Sequence, residues 1–210
     1  MTRFGLPALL LLLLAGCVST TPVAGVVDPD YAARSFASVM VITDEMTLAE
    51  RKAAESVLTQ ELGKHGIKAL RGVDHLPPTR AYSAAERLAV ARDAGAQALL
   101  LISRTESERS SRYYPPSYWY PPWRYHYPYG YGWPYRYGVG HYTPGYTVEW
   151  LRARYAADLV DLASGRKAWT GEAGASDGTD GYARLSAAAG RRIAAKLIDE
   201  GLLKAGTAGG

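Results

Sequence analysis

Cys17 is the only thiol in this chain, and its surroundings give that sulfur one kind of chemistry to do. It closes the stretch Leu14-Ala15-Gly16-Cys17, behind a basic Arg3 and an apolar run from Leu6 to Leu14. That run is too short to cross a hydrocarbon core of ~30 Å as a helix, so residues 1–16 read as a secretory signal ending on small residues. Cys17 directly follows that signal. Once its thiol is consumed there, none is left for a disulfide, a zinc site or a nucleophile.

The other chemistry-bearing side chains are weaker on spacing alone. His65, His75, His126 and His141 are few and scattered, whereas a metal site needs convergent pairs, so no metal and no cofactor is expected. His65 beside Gly66 fits a helix C-terminus, where a cation complements the dipole. Asp177-Gly178-Thr179-Asp180-Gly181 lacks the alternating oxygen ligands and closing Glu of a calcium loop and reads as a turn. Ser164 lacks the Gly-x-Ser-x-Gly frame of a nucleophile elbow. No Gly-rich loop follows a strand to cradle phosphate, and no carboxylate pair falls in an apolar setting. Enzyme chemistry is therefore not expected. With 24 Lys+Arg against 20 Asp+Glu, the charge balance leaves no footprint for nucleic acid either.

One stretch is rich in a different chemistry. Residues 112–146 hold twelve of the sixteen Tyr, three of the five Trp, seven of the twelve Pro and no acidic residue. Flat aromatic rings stack on the apolar faces of sugars and lose little rotamer entropy in doing so. Arg112, Arg124 and Arg136 could meet carboxylates. Trp119, Trp123, Tyr125 and Trp133, with Arg124 and Arg136, are the candidate binding residues. Two other readings stay open, a low-complexity spacer or a segment lodged at a membrane interface, where Tyr and Trp are favoured. Nucleic-acid stacking uses the same residues, but no nucleic-acid partner is expected.

The elements that would carry this segment follow from periodicity. Val18 to about Tyr31 lacks periodicity and reads as a flexible tether, which spans residues 17–34. Phe36 to Ile42 is an apolar, β-branched strand. Thr47 and Glu50 form a capping box before a helix with Leu48, Ala54, Val57, Leu58 and Leu62 on its core face, stopped by Gly66. Ile67 to Leu70 is a second strand. Ser83 and Glu86 open a helix using Leu88, Ala91 and Ala94, and Ala98 to Ile102 is a third strand. This β-α-β-α-β order predicts a parallel start. Leu151, Ala153, Tyr155, Ala157 and Leu159 then alternate with polar partners along a long strand. Ser164-Gly165 turns it into a return strand, Lys167 to Glu172 with Trp169. Asp180 is placed to cap a last helix that repeats Leu185, Ala189, Ile193 and Leu197. The expected fold is one α/β domain over residues 35–203, with a mixed, roughly five-stranded sheet and helices packed on it. Pro density makes residues 112–146 an insertion between strands three and four, and residues 204–210 a disordered tail.

Leu14-Ala15-Gly16-Cys17 resembles the lipobox of bacterial lipoproteins. In that family the Cys thiol takes a diacylglycerol, the signal is cut before it, and the new amine is acylated. Ala53 to Leu58 with Glu61-Leu62 and Gly66, Asp93-Ala94-Gly95-Ala96 before an apolar strand, and Asp158-Leu159-Val160-Asp161-Leu162-x-Ser164-Gly165-x-x-x-Trp169 carry a second resemblance. They are similar to small α/β outer-membrane lipoproteins of Gram-negative bacteria, and more distantly to those of curli secretion and penicillin-binding-protein activation. The resemblance implies a non-catalytic, lipid-anchored interaction protein, an adaptor or regulator facing the periplasm. The aromatic insertion departs from the better-known members. It makes a peptidoglycan-binding lipoprotein the alternative, with peptidoglycan or another envelope protein as partner. Val18-Ser19 lacks the Asp that retains such proteins in the inner membrane, so the inner leaflet of the outer membrane is the expected site.

Cys17→Ser should therefore leave the protein released or stalled as an unprocessed precursor when envelopes are fractionated. Mature variant in the outer-membrane fraction would refute lipidation at this residue.

Overall fold

The computed structural model describes residues 18–119, 141–178 and 181–206. The strands are β1 (Ser19–Thr20), β2 (Ala24–Val27), β3 (Ser38–Asp44), β4 (Lys68–Arg71), β5 (Ala98–Tyr114), β6 (Ser117–Trp119), β7 (His141–Thr143), β8 (Tyr146–Asp161) and β9 (Lys167–Asp177). The helices are α1 (Leu48–Lys64), the single turn α2 (Gly72–His75), α3 (Ala84–Asp93) and α4 (Tyr182–Asp199). Seven strands form one mixed sheet in the order β1-β9-β8-β5-β3-β4, with β2 beside β1 on β9, while β6 and β7 pair separately. As expected, β4, β3 and β5 run parallel, and β5, β8 and β9 are antiparallel neighbours.

Local signals set the helix starts. Thr47 Oγ1 accepts from Glu50 N–H while Glu50 Oε2 accepts from Thr47 N–H at 2.8 Å. Ser83 and Glu86 repeat that reciprocal cap. Each cap satisfies two N–H groups that the first turn leaves orphaned and contributes about 1 kcal/mol. Gly66 ends α1 at φ +72°, a conformation that costs a Cβ-bearing residue. Leu48 is the exception to the helical pattern: it sits in the first turn of α1 and is 46% exposed.

Two apolar layers cover the sheet unequally. On one face α1 and α4 bury Leu58, Leu62, Leu185, Ile193 and Leu197 against Val39, Val41, Leu100, Tyr155, Leu159 and Trp169. On the other, α3 covers the parallel strands and the end of β8, through Ala91, Met40, Ile42, Leu99, Val160 and Leu162. The alternation read along β8 holds, since Leu151, Ala153, Tyr155, Ala157 and Leu159 are all buried.

Three expectations are corrected. The residues read as a flexible tether are part of the sheet: Ser19 pairs with Ser176, Val27 with Trp169, and Tyr31 OH donates to buried Asp161. These strands supply partners to the outer edge of β9, whose N–H and C=O groups would otherwise be exposed. Gly25 is required there, because a Cβ would fall 2.5 Å from Cζ2 of the Trp169 indole. The sheet thus has seven strands rather than about five. Second, Arg112 to Tyr114 and Tyr146 belong to the β5–β8 ladder, with Tyr113 opposite Thr147 and Tyr114 opposite Tyr146. Pro115 and Pro116, between β5 and β6, and Pro144, between β7 and β8, fall in the break that separates the two ladders, where no ladder donor is needed. Third, the tail is tied at its start, where Lys204 N–H donates to Phe36 C=O, and residues 207–210 lie outside the described residues. Gly181 occupies the N-cap of α4, and Asp180 also lies outside the described residues.

Because Tyr114 and Tyr146 are paired, an Asn-Gly turn can replace Pro115–Gly145 without changing register. We expect a cooperative melt with Tm within about 4 °C of the wild type. An aggregated product or a broad, non-cooperative melt would show that the excised aromatics belong to the core.

Candidate functional site

The site grows out of the long ladder between β5 and β8. β3 last pairs with β5 at Asp44 and Ser103, and β9 last pairs with β8 at Asp177 and Leu151. Beyond those points β5 and β8 continue alone, as a two-stranded arm that runs past Arg109–Leu151 to Tyr114–Tyr146 and on through the separate β6–β7 pair, its outer part. A register shift between Arg104 and Glu106 follows directly on the point where β5 parts from β3, and such a bulge bends and twists the strand that carries it toward the arm.

A buried ion pair holds that root. Arg104 Nη1 donates to Glu50 Oε1 at 2.7 Å, and the Glu50 side chain is only 6% exposed. The other oxygen of Glu50 caps α1, so one carboxylate ties the start of a helix to the base of the arm. The Arg104 guanidinium also lies over the Tyr182 ring, 5.0 Å from its centroid. Tyr155 packs beneath, and burial pushes its phenol far above the usual range.

The arm presents aromatic surface to solvent. Tyr114 and Tyr146 stack at 5.1 Å between centroids, and Tyr118 and Tyr142 face each other across β6–β7 at 4.7 Å. Cross-strand ring pairs of this kind contribute about 0.5–1.5 kcal/mol each beyond their buried area. The Arg112 guanidinium sits 5.9 Å from the Tyr114 centroid. Tyr113, Tyr118, Trp119, Tyr142 and Tyr146 are between 49% and 67% exposed. At the root, a shallow trough of about 390 Å³ runs between Ser19, Ser176, Arg152 and Glu108, with Glu106 and Arg154 paired at 3.4 Å across it.

A second concavity of about 160 Å³ lies at the carboxyl end of β3, where open α/β sheets place ligands. Here its charges satisfy one another. Asp44 is held between Arg87 at 2.6 Å and Arg51 at 3.4 Å, and those two arginines also donate to Tyr82 C=O and Met46 C=O. Glu55 accepts from Thr43 N–H, Thr43 Oγ1 and Val73 N–H. Burial pushes its carboxyl above the ordinary value, against the pull of these donors. The concavity reads as a structural lock between β3, α1 and α2.

Of the candidate residues read from sequence, Trp119 stands on the arm, 61% exposed. Cys17, Trp123, Arg124, Tyr125, Trp133 and Arg136 lie outside the described residues. His65 caps the end of α1, and no group of three metal-ligating side chains gathers among the described residues. Ser164 is committed to the β8–β9 turn, hydrogen-bonded to Asp161 and Tyr31. Sequence reading did not single out Tyr113, Tyr118, Tyr142 and Tyr146. For Tyr113 and Tyr146 the signal was the extended stretch before Pro115 and after Gly145, hidden by the composition around it; Tyr118 and Tyr142 lie inside that composition.

No protein-family model matches this chain, and no curated protein matches its sequence. Among solved structures it is similar to the PelC dodecamer from Paraburkholderia phytofirmans, at 18% identity over 89% of this chain and 98% of that one, TM-score 0.39. It is also similar to lipoprotein GNA1162 from Neisseria meningitidis, at 15% identity over 78% of this chain and 99% of that one, TM-score 0.41. At these values the likeness carries neither family membership nor an activity to this chain.

The lock reading of Glu55 is testable by titration. Glu55→Leu should cost about 1–3 kcal/mol in urea unfolding, because three donors lose their acceptor. Since the folded-state carboxyl titrates above its ordinary 4.5, its stabilising share is full below that pH and is lost as pH rises through the folded value. The margin of wild type over variant should therefore narrow from pH 4 to pH 8. A widening margin would show that the three donors outweigh burial.

Proposed function

We propose that this protein is a lipid-anchored, non-catalytic interaction protein of the Gram-negative envelope, held at the periplasmic face of the outer membrane through Cys17, with the aromatic arm as its contact organ. One observation carries the assignment of the organ. Of the seven large hydrophobic side chains exposed among the described residues, five stand on the arm: Tyr113, Tyr118, Trp119, Tyr142 and Tyr146. Single exposed rings are ordinary, but a cluster presented on one projection marks a contact surface. Among the described residues no helix is long and apolar enough to cross a membrane, which fits attachment through lipid.

A second reading, peptidoglycan binding, is favoured by the Arg112 guanidinium beside the Tyr114–Tyr146 stack. Rings of that geometry suit sugar faces, and a guanidinium suits stem-peptide carboxylates.

Changing Tyr118, Trp119 and Tyr142 together to Ser should leave the main melting transition in place, because all three are exposed and β6–β7 pair apart from the main sheet. Crosslinked partners captured from intact envelope, and co-sedimentation with purified peptidoglycan, are the two readouts. Loss of either with an unchanged melt supports the arm as contact organ. Retention of both would show that the arm holds neither an envelope protein nor peptidoglycan.

A further inference from the structure

We propose that the aromatic arm lies flat in the headgroup layer of the same leaflet that holds the N-terminal lipid, so that the protein grips its membrane at two points. The inference rests on lipidation at Cys17 and names the partner of the arm.

The register places anchor and arm at one end of the molecule. Ser19 pairs with Ser176, Ser176 with Arg152, and Arg152 with Glu108, so these four residues form one line across β1, β9, β8 and β5. Each neighbouring pair on that path is antiparallel. Following β1 backwards from Ser19 therefore runs the same way along the sheet as following β5 forwards from Glu108. Cys17 is two residues before Ser19, which limits its Cα to about 7 Å from that of Ser19. The lipid attachment point is thus tied by covalent geometry to the Ser19–Glu108 line at the root of the arm, given that β1 is part of the sheet rather than a free tether.

Reach then decides the posture. From the Glu108 line to the Tyr114–Tyr146 pair is six residues of strand, about 20 Å at ~3.3 Å per residue. The headgroup layer on each side of the hydrocarbon is only about 5–8 Å deep. An arm that starts beside the anchor and projects further than the layer is deep must lie along it, enter the hydrocarbon, or turn away from it. Entry is excluded by the backbone. With only β8 beside it, the outer edge of β5 past Ser103 is unpaired, and so is that of β8 before Leu151. Hydrocarbon tolerates no such open edge.

Chemistry favours lying along the layer over turning away. Tyr and Trp concentrate at bilayer interfaces, where the ring meets apolar chains and the OH or N–H stays wet. Tyr113, Tyr118, Trp119, Tyr142 and Tyr146 supply such rings from both strands of each hairpin. Residues 112–146 carry Arg112, Arg124 and Arg136 and no acidic side chain, which suits an anionic lipid surface. Glu106 and Glu108 sit at the root, and Glu149, opposite Ser111 on the arm, still lies on the body side of the rings.

Because the acylated Cys17 is the chain's only cysteine, a new cysteine can be labelled alone. Trp119→Cys and Tyr142→Cys would each carry a nitroxide, with Ala163→Cys in the β8–β9 turn, at the far end of β8, as control. The full lipidated chain is reconstituted in 3:1 phosphatidylethanolamine–phosphatidylglycerol vesicles. Collisions with an aqueous nickel chelate are then measured. We expect flotation with the vesicles, and collision rates at positions 119 and 142 at least fivefold below that at position 163. Equal rates in floating protein overturn the inference while leaving the anchor intact. Protection that appears only after peptidoglycan is added overturns it in favour of a glycan partner. Failure of the unmutated chain to float removes the anchor and the inference together.

Discussion

Everything distinctive about this molecule hangs on the antiparallel ladder between β5 and β8. Sixteen residues of β8 pair first with a strand inside the core and then with the same strand outside it. The inner half is buried by α1 and α4 on one face, so it fixes the position of the outer half as a beam is fixed by its embedded end. Without that continuity the exposed rings would be composition without geometry. With it, rings at Tyr113, Tyr114 and Tyr146 hold defined positions relative to the body.

The transition between the two halves is where the chemistry is most specific. Glu50 lies in the first turn of α1, reaches back to close its capping box, and offers its second oxygen to Arg104 at the bulge. A buried carboxylate is costly unless it is paired and hydrogen-bonded, and here both oxygens are used. The pairing couples a helix start, set by local sequence, to the exit direction of the arm, set by tertiary structure. At the end of β3, Asp44 pairs with Arg51 and Arg87, while Glu55 is satisfied by Thr43 and Val73.

Several parts of this architecture were legible in the chain. Thr47–Glu50 and Ser83–Glu86 name their own helix starts, because a capping box is complete within four residues. The alternation from Leu151 to Leu159 and the spacing of Leu185, Ala189, Ile193 and Leu197 name their buried faces, because period two and period near four each leave one face apolar. The aromatic segment announced itself by composition, and Trp119 among its candidates stands exposed on the arm.

The tertiary structure decided the rest. Ser19–Thr20 and Ala24–Val27 are too short to show a period, and their partners lie roughly 140 to 160 residues away on β9. Nothing local distinguishes such a segment from a linker; it becomes strand because β9 offers an unpaired edge. The length of β5 was hidden in the same way, since Thr105 to Tyr114 are polar or exposed on both faces and are held as strand by β8. Sequence alone determined the signals that close within one turn or one face: the caps, the periods and the single cysteine behind its apolar run. Pairings between distant edges depend on backbone groups that every residue shares, so only the folded chain could choose them.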